Sequence, residues 1–210
     1  MPKKKRKVGS GKWHYFIIRY IPSDADEFLL AGRCILALHH FLYRNKANSI
    51  GIHFPDWSDR SVGKRIAFMS ENEDLLTWFK KERYFLTMAE NDLFEMTEIV
   101  QTSLTDKKGV AFVRNQKAGK LTSASKARRI RRAKRRAEAR GEVYKSRNQE
   151  SDRELDHFHS IHMESTSTGK AFTLFVGKVE EPGTGLSQKE FNSYGLSSQN
   201  QQMVLLPIIS

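Results

Sequence analysis

Apolar and polar positions in the first half of the chain follow patterns that predict strands and helices in turn. Residues 13–20 are aromatic and β-branched, which is typical of a strand, whereas the apolar residues of 28–43 recur at a helical period. The predicted elements, in order, are strand 13–20, helix 28–43, strand 49–54, strand 64–69, helix 74–81 and strand 94–101. This βαββαβ order predicts a ferredoxin-like domain.

Each of the two predicted helices is preceded by a serine with an acidic residue three positions later. Ser23 with Asp26 precedes the first helix, and Ser70 with Glu73 precedes the second. In such a pair the serine side chain accepts a hydrogen bond from a free backbone N–H of the first turn. We therefore expect Ser23 and Ser70 to cap these helices.

The second half of the chain has shorter apolar runs separated by glycine, serine and asparagine turns. The pattern predicts strands at 110–114, 157–163, 171–179, 191–194 and 203–209, and one helix at about 123–140. We place a boundary near 104–110, with the ferredoxin-like domain at 12–104 and a smaller C-terminal α/β part at 105–210. The predicted fold class is therefore α+β.

The predicted helix at 123–140 is strongly basic, because residues 128–136 (RRIRRAKRR) carry seven positive charges and no negative one. On a helix the arginines fall on one face and small apolar residues fall roughly opposite. The basic face holds Arg128, Arg131, Arg132, Arg135 and Arg136, and the apolar back holds Ala127, Ile130, Ala133 and Ala137. Clustered guanidiniums repel each other unless phosphates lie against them, so the pattern indicates nucleic-acid binding. The alternatives are a solvated basic face and a disordered basic arm.

The formal net charge of +12 over 210 residues is basic even when the N-terminal segment is set aside. Residues 1–11 resemble a viral large-T-antigen nuclear localisation signal (PKKKRKV) followed by a flexible linker, a pattern typical of an engineered tag. This segment holds five basic residues, so the rest of the chain carries about +7.

The single cysteine, Cys34, excludes an intramolecular disulfide framework and a multi-cysteine zinc site. Its isolation is typical of a protein from a reducing, intracellular environment. No apolar run approaches the roughly 20 residues that span a bilayer, so we expect no membrane role.

Six short motifs occur in an order that resembles one family. They are His14-Tyr15, Leu38-His39, 50–56 (IGIHFPD), Arg114-Asn115-Gln116, 165–172 (STSTGKAF) and 191–197 (FNSYGLS). Each string is weak alone, but together, in this order and at this spacing, they resemble the CRISPR-associated repeat-processing endoribonucleases of the type I-F kind. The resemblance covers nearly all of the chain after the tag.

The resemblance implies a hydrolase-class endonuclease that cuts precursor CRISPR RNA at the base of a repeat hairpin. In such a reaction the RNA 2′-hydroxyl attacks the neighbouring phosphate, so neither a metal nor another cofactor is required. The products are a 2′,3′-cyclic phosphate and a 5′-hydroxyl.

The matching positions imply three catalytic residues. His39 matches the general base, Ser165 matches the contact to the nucleophilic hydroxyl, and Tyr194 matches a residue that orients the histidine or the phosphate. A histidine ordinarily titrates near pH 6.5, which suits proton transfer around neutrality. Ser167 would share the strand face of Ser165, so it is the alternative serine and is grouped with the RNA-contacting residues. Without the resemblance, His39 and the adjacent His40 read as ordinary helix residues.

The RNA-binding residues are implied in the same way. Arg114 and Gln116 lie two residues apart on an extended segment, so both can enter the major groove of an RNA stem, arginine on guanine and glutamine on adenine. The arginines of 128–136 would follow the stem backbone. Phe172 matches an aromatic that stacks on the lowest base pair or on the base beside the cut. The alternative for Phe172 is an inward-facing core residue.

The resemblance also implies the partners. The enzyme would keep the 3′ repeat hairpin of the CRISPR RNA and become a subunit of a Cascade-like, type I-F-like guide-RNA complex in the cytoplasm of its bacterial source, where such complexes serve antiviral defence. A nuclear tag suits a bacterial protein moved into eukaryotic cells. A transposon-associated version, with transposition proteins as further partners, fits that use.

Two other functions fit parts of the sequence. A non-catalytic protein that binds an RNA hairpin would need only the basic helix, with the histidines structural. A metal-dependent nuclease could use His157, His159 and His162 (HFHSIH), whose side chains are of ligand type, although no carboxylate pair accompanies them.

Overall fold

The computed structural model describes residues 12–103, 109–115, 118, 123–144, 157–164, 169–181, 190–197 and 203–209, so the predicted tag at 1–11 lies outside the described residues. The strands are β1 (Lys12–Tyr20), β2 (Gly51–His53), β3 (Arg65–Ser70), β4 (Phe94–Met96), β5 (Val100–Ser103), β6 (Gly109–Arg114), β7 (Phe158–Glu164) and β8 (Ala171–Glu181). The helices are α1 (Glu27–Asn45), α2 (Glu73–Lys80), α3 (Arg83–Glu90) and α4 (Ser123–Ala139).

The first sheet has the ferredoxin-like order that the sequence predicts. Its strands run β2-β3-β1-β4, each antiparallel to its neighbours, and β5 pairs with the first half of β1. Strands β4 and β5 are two parts of the strand predicted at 94–101, and between them the Thr97 hydroxyl accepts a hydrogen bond from the backbone of Ile17. The prediction of an α+β fold is confirmed.

An aromatic core holds the helices against this sheet. Phe16 of β1 and Phe68 of β3 lie with ring centroids 5.4 Å apart. Phe79 of α2 lies 4.8 Å from Phe68, and Phe85 of α3 lies 5.0 Å from Phe79. Phe41 of α1 adds a contact of 5.1 Å to Phe79. Burial of these rings, which are each at most 3% exposed, supplies much of the apolar free energy of this layer.

The predicted helix caps are wrong. Asp26, not Ser23, caps α1 by accepting from the backbone N–H of Leu29, and Asn72, not Ser70, caps α2. Aspartate, asparagine and serine are comparably good N-cap residues. The cap is therefore the residue that directly precedes each helix, which is Asp26 for α1 and Asn72 for α2. Ser70 is fully buried at the end of β3, where its hydroxyl donates to the carbonyl of Ser49. This hydrogen bond joins the end of β3 to the segment that leads into β2.

Helix α3 was not predicted from the sequence. It follows α2 after a short turn, its N-cap residue Glu82 makes no side-chain capping bond, and Phe85 is its one buried residue. A helix of eight residues with a single buried anchor carries too little periodicity to be distinguished from a loop.

The second sheet has the order β6-β8-β7 and lies against α1 and the end of the first sheet. Gly32 of α1 allows β7 to cross the helix closely, because a Cβ at Gly32 would lie 2.7 Å from the carbonyl oxygen of His162. Phe112 of β6 packs on Phe54, with ring centroids 5.2 Å apart. Both sheets contribute to one hydrophobic core, and the division at 104–110 stays a prediction.

Two predicted strands in the C-terminal part are not strands. At 191–194 the chain turns, because the Asn192 side chain accepts from the backbone N–H groups of Tyr194 and Leu196 in place of a ladder partner. At 203–209 a single bridge joins Leu206 to Val110. Pro207 has no N–H to continue the ladder, so pairing stops there.

No helix within the described ranges is both long and apolar enough to cross a membrane.

His53 is a buried titratable group where the two sheets meet. It is 3% exposed, its ring lies 5.3 Å from that of Phe112, and neither ring nitrogen has a hydrogen-bond partner in the described structure. Burial, with smaller contributions from Lys178 and Arg65, lowers the pKa of His53 to about 4. The folded state therefore holds His53 neutral at a pH where the unfolded chain would protonate it.

Lowering the pH is expected to destabilise the protein through His53. The folded pKa lies below the unfolded value, so unfolding takes up a proton and stability falls between about pH 6.5 and about pH 4. The loss attributable to His53 between about pH 7.5 and about pH 5 is on the order of 2 kcal/mol. Urea unfolding of wild type and His53→Phe at both pH values measures it. An equal pH dependence in the two proteins would contradict this account of His53.

Candidate functional site

His39 of α1 is held by a backbone carbonyl from a distant segment. Its Nδ1 lies 3.0 Å from the carbonyl oxygen of Ser193, 154 residues away in sequence. A carbonyl oxygen can only accept, so Nδ1 carries the hydrogen and donates it. The other ring nitrogen, Nε2, is then unprotonated in the neutral ring and can accept a proton. This is the tautomer that a general base requires.

The ring of His39 is also stacked on an aromatic ring. Tyr194 lies with its ring centroid 4.8 Å from that of His39 and an angle of 18° between the ring planes. The bond to Ser193 and the stack on Tyr194 together restrict both the tilt and the rotation of the imidazole. A parallel ring would also stabilise the imidazolium cation that forms when Nε2 takes up a proton.

Two further predicted residues lie around Tyr194. The guanidinium carbon of Arg114 is 5.8 Å from the Tyr194 ring centroid, and the ring of Phe172 is 6.1 Å from it. Arg114, the last residue of β6, pairs with Val176 of β8, so the two side chains share one face of the second sheet. Phe172 lies four residues before Val176 on β8, so its side chain is on that face too. His39, Tyr194, Arg114 and Phe172, from four separate segments, thus form one cluster.

The turn that carries Tyr194 is fixed by its own hydrogen bonds. The Asn192 side chain accepts from the backbone N–H of Tyr194 at 2.8 Å and of Leu196 at 3.2 Å, and its backbone N–H donates to the carbonyl of Leu196. The backbone N–H of Ile52 donates to the carbonyl of Gly195 and joins the turn to β2. The sequence reasoning missed Asn192 and Ser193. An asparagine three residues before a glycine was the signal available for this turn.

Gly195 lets the turn sit directly on α1. Its φ is +72°, and a Cβ there would lie 2.6 Å from Cδ2 of Leu38 and 3.0 Å from Cγ2 of Ile52. Leu38 precedes His39, so the distance between the turn and the helix sets the distance from Ser193 and Tyr194 to the His39 ring.

Replacing Gly195 by alanine is expected to lower stability and activity together. Left-handed backbone costs an alanine about 1–2 kcal/mol, and the clash with Leu38 adds to it. Gly141→Ala is the matched control, because Gly141 has φ +69° but nothing within 4 Å of a Cβ. Thermal unfolding and RNA cleavage are measured for both variants. A Gly141 variant as impaired as the Gly195 variant would show that backbone strain, not contact with α1, is responsible.

His40 differs from His39 in its surroundings. Burial and the neighbouring His39, with Arg44 as a further contributor, lower the pKa of His40 below its ordinary value. Its ring centroid is 5.8 Å from that of His39. The neutral form of His40 is therefore favoured near neutral pH.

Helix α4 presents the predicted basic face to solvent. Arg128, Arg131, Arg132, Arg135 and Arg136 are all exposed, and within the described ranges no carboxylate pairs with them. The predicted apolar back is correct only near the end of the helix. Ala137 is 4% exposed, but Ile130 is 42% exposed and Ala127 is also exposed. Residues 127–132 of α4 are all exposed and are therefore open to a ligand.

Three predicted residues cannot be placed. Gln116, Ser165 and Ser167 lie outside the described residues, so their roles stay predictions. Of the three histidines of the metal alternative, His157 and His159 lie together, with their Nε2 atoms 3.5 Å apart, but His162 does not join them. His159 is buried and its Nε2 lies 2.8 Å from the carbonyl of Ser58, whereas His162 is exposed on the opposite face of β7. In the part of the chain that the structure describes, no group of three or more histidine, cysteine or acidic residues is arranged to hold a metal.

Comparison with known proteins identifies one family. A family model described as CRISPR-associated protein (Cas_Csy4) matches residues 15–204, a range that includes His39, Arg114, Phe172 and Tyr194. No curated protein matches the chain. Among solved structures, the crystal structure of TA0507, provisionally named a chlorite dismutase, matches 82% of this chain and 80% of that chain at 16% identity, with a TM-score of 0.28. A likeness this weak supports no inference.

Proposed function

We propose, from the premise that this chain belongs to the Cas_Csy4 family of CRISPR-associated proteins, that it is a metal-independent endoribonuclease for the hairpins of precursor CRISPR RNA. Family membership makes it a CRISPR-associated RNA-processing protein. The cut at the hairpin base, the mechanism and membership of a guide-RNA complex are the parts we propose.

The observation that supports catalysis best is the fixed tautomer of His39. The Ser193 carbonyl holds the hydrogen on Nδ1, and the Tyr194 ring holds the plane of the imidazole. The carbonyl and the parallel ring both come from the far end of the chain and hold the imidazole in one orientation. Both contacts prepare Nε2 to receive a proton.

In the proposed reaction Nε2 of His39 removes the proton of the RNA 2′-hydroxyl. The oxygen attacks the adjacent phosphorus, and the bond from phosphorus to the 5′-oxygen breaks in line with the attack. The 5′-oxygen leaves as a hydroxyl after protonation, and the phosphate closes into a 2′,3′-cyclic ester. Tyr194 orients the ring, and Ser165, or Ser167 in its place, contacts the attacking hydroxyl.

The surrounding residues fit an RNA stem that ends at this site. The ring of Phe172 lies 6.1 Å from that of Tyr194, so it is beside the proposed cut site. There it would stack on the last base pair of the stem, an interaction worth about 1–3 kcal/mol. Arg114 is exposed at the end of β6, where with Gln116 it would read guanine and adenine in the stem. The arginines of α4 would bind stem phosphates and so set the position of the cut.

A protein that contacts the hairpin both along α4 and at the cleavage site would release its product slowly. We propose that it stays on the 3′ hairpin as a subunit of a type I-F-like guide-RNA complex, either in antiviral defence or with transposition proteins. Nuclear delivery by residues 1–11 belongs to the same proposal.

The proposed chemistry predicts that cleavage requires the 2′-hydroxyl of the nucleotide at the cut site. The experiment compares the repeat hairpin with the same hairpin carrying a 2′-deoxy nucleotide at the cut site. We expect no cleavage of the deoxy RNA and unchanged affinity, because the nucleophile is lost and the contacts remain. Cleavage of the deoxy RNA would overturn the mechanism. Binding without cleavage of either RNA would identify a non-catalytic hairpin-binding protein.

A further inference from the structure

The turn that carries Tyr194 is closed by a hydrogen bond between its first and last residues. The backbone N–H of Gly195 donates to the carbonyl of Asn192 at 2.9 Å, so residues 192–195 form a β-turn. Ser193 and Tyr194 are its two central residues, and the peptide group between them contains the carbonyl that lies 3.0 Å from Nδ1 of His39. The orientation of this central peptide group therefore determines whether Nδ1 has its acceptor.

The central peptide group of a β-turn has two common orientations. Type I and type II turns differ mainly by a reversal of this group, and type II requires a positive φ at the third residue. Tyr194 is the third residue, and its φ is not positive, which fits type I. In the reversed orientation the carbonyl of Ser193 would point away from His39.

The side chain of Asn192 holds the observed orientation. Its Oδ1 accepts from the N–H of Tyr194 at 2.8 Å and from the N–H of Leu196 at 3.2 Å. The Tyr194 N–H belongs to the same peptide group as the Ser193 carbonyl, and in a planar trans peptide the two point in opposite directions. By holding the N–H on one side, Asn192 directs the carbonyl to His39 on the other.

The ends of the turn are held by other contacts. The backbone N–H of Phe191 donates to the carbonyl of Asn48, and β2 holds the carbonyl of Gly195. The ring of Phe191 lies directly on Gly51, where a Cβ would be 2.4 Å from it. Loss of the Asn192 side chain is therefore expected to leave the turn in place and to free its central peptide group.

We propose that Asn192 is a positioning residue for the proposed base: through the peptide group between Ser193 and Tyr194, it sets the tautomer of His39 that leaves Nε2 free to accept a proton. A carbonyl whose own peptide N–H is hydrogen-bonded is also a stronger acceptor. Asn192 thus has, across one peptide group, the part that a buried acceptor has beside the histidine of a catalytic triad. This inference rests on the proposed function and extends it to a residue that acts through His39.

The first measurement is the tautomer of His39 in the protein without RNA. Nuclear magnetic resonance of the histidine ring nitrogens distinguishes a protonated nitrogen from an unprotonated one, and His39→Ala identifies the His39 signals. We expect wild type and Asn192→Asp to keep the hydrogen on Nδ1, because both side chains accept from the Tyr194 N–H. Asn192→Ala should show a mixture of the two tautomers. The signals of His40 should be the same in all three proteins.

The second measurement is the pH dependence of hairpin cleavage at saturating protein. Asn192→Ala should cleave about 10²-fold more slowly with unchanged hairpin affinity, because the base is misdirected while the RNA contacts remain. Asn192→Asp should recover most of the wild-type rate at high pH. The rise of its rate should occur at higher pH than in wild type, because a carboxylate near His39 favours the protonated imidazole.

Asn72→Ala is the matched control for general loss of stability. Asn72 caps α2 by accepting from the backbone N–H of Leu75 at 3.0 Å. The same substitution there removes the same kind of hydrogen bond from a helix that does not carry His39. It should lower the unfolding temperature without changing the His39 tautomer or the pH profile.

The outcomes separate the inference from the proposed function. A single Nδ1–H tautomer in Asn192→Ala would overturn the inference, and so would the same mixture of tautomers in Asn72→Ala. If Asn192→Ala does not fold, Asn192→Asp decides, because an unmoved pH profile contradicts the inference. Failure of wild type to cleave the hairpin would instead overturn the proposed function, and the tautomers would still test the role of Asn192.

Discussion

Replacing His39 by alanine is expected to slow cleavage of the repeat hairpin by about 10²- to 10⁴-fold while leaving hairpin affinity unchanged. The variant removes the group that takes the 2′-hydroxyl proton, but the arginines of α4 and the ring of Phe172 remain. Single-turnover cleavage at saturating protein measures the chemical step, and a separate binding assay on 2′-deoxy RNA measures affinity.

His40→Ala is the matched control for this prediction. His40 lies on the same turn of α1, but the Ser193 carbonyl and the Tyr194 ring contact His39, the residue that we propose as the base. We expect His40→Ala to cleave at close to the wild-type rate. If His39→Ala cleaved normally and His40→Ala did not, the base would be His40, and the tautomer argument for His39 would be wrong.

The second large effect is expected on binding. Changing Arg128, Arg131, Arg132, Arg135 and Arg136 to glutamine should weaken hairpin binding by about 10³-fold or more near 0.1 M salt. The slope of log affinity against log salt should become shallower by about one unit for each arginine that contacts a phosphate. At saturating protein the cleavage rate should change far less, because the His39 site is built from other segments.

Exposed arginines elsewhere provide the comparison. Arg33 and Arg60 are exposed but lie outside α4, and their glutamine variants should change neither affinity nor the salt slope. An unchanged slope in the α4 variant would show that the basic helix is not at the RNA. The same loss from Arg33 and Arg60 would show that net charge, not the helix, controls binding.

The first sheet was predictable because its strands are apolar and because α1 and α2 each bury several residues at a helical period, whereas α3 buries one. The errors occur where two local signals compete. Asp26 and Asn72 lie within three residues of the predicted serine caps and accept from the N–H groups of Leu29 and Leu75, so each helix begins later than the serine predicts. At 191–194 apolar residues suggested a strand, but the Asn192 side chain replaces the backbone partner that a strand would need.

The site was less predictable than the fold. Nothing in the pattern of α1 separates His39 from His40, and only the family resemblance selected the first. The bond to Ser193 and the stack on Tyr194 depend on how the second sheet and the following turn meet α1, which is a long-range contact. The apolar back of α4 was overestimated because helical phase places Ile130 on that side but cannot show whether a core reaches it.

Cleavage of the repeat hairpin in excess EDTA, followed by analysis of the new ends, tests the central proposal most directly. The use of His39 and the RNA 2′-hydroxyl predicts full activity without divalent metal, a 2′,3′-cyclic phosphate on one product and a 5′-hydroxyl on the other. Activity that is lost in EDTA and restored by a divalent metal, with a 5′-phosphate on the product, would contradict it.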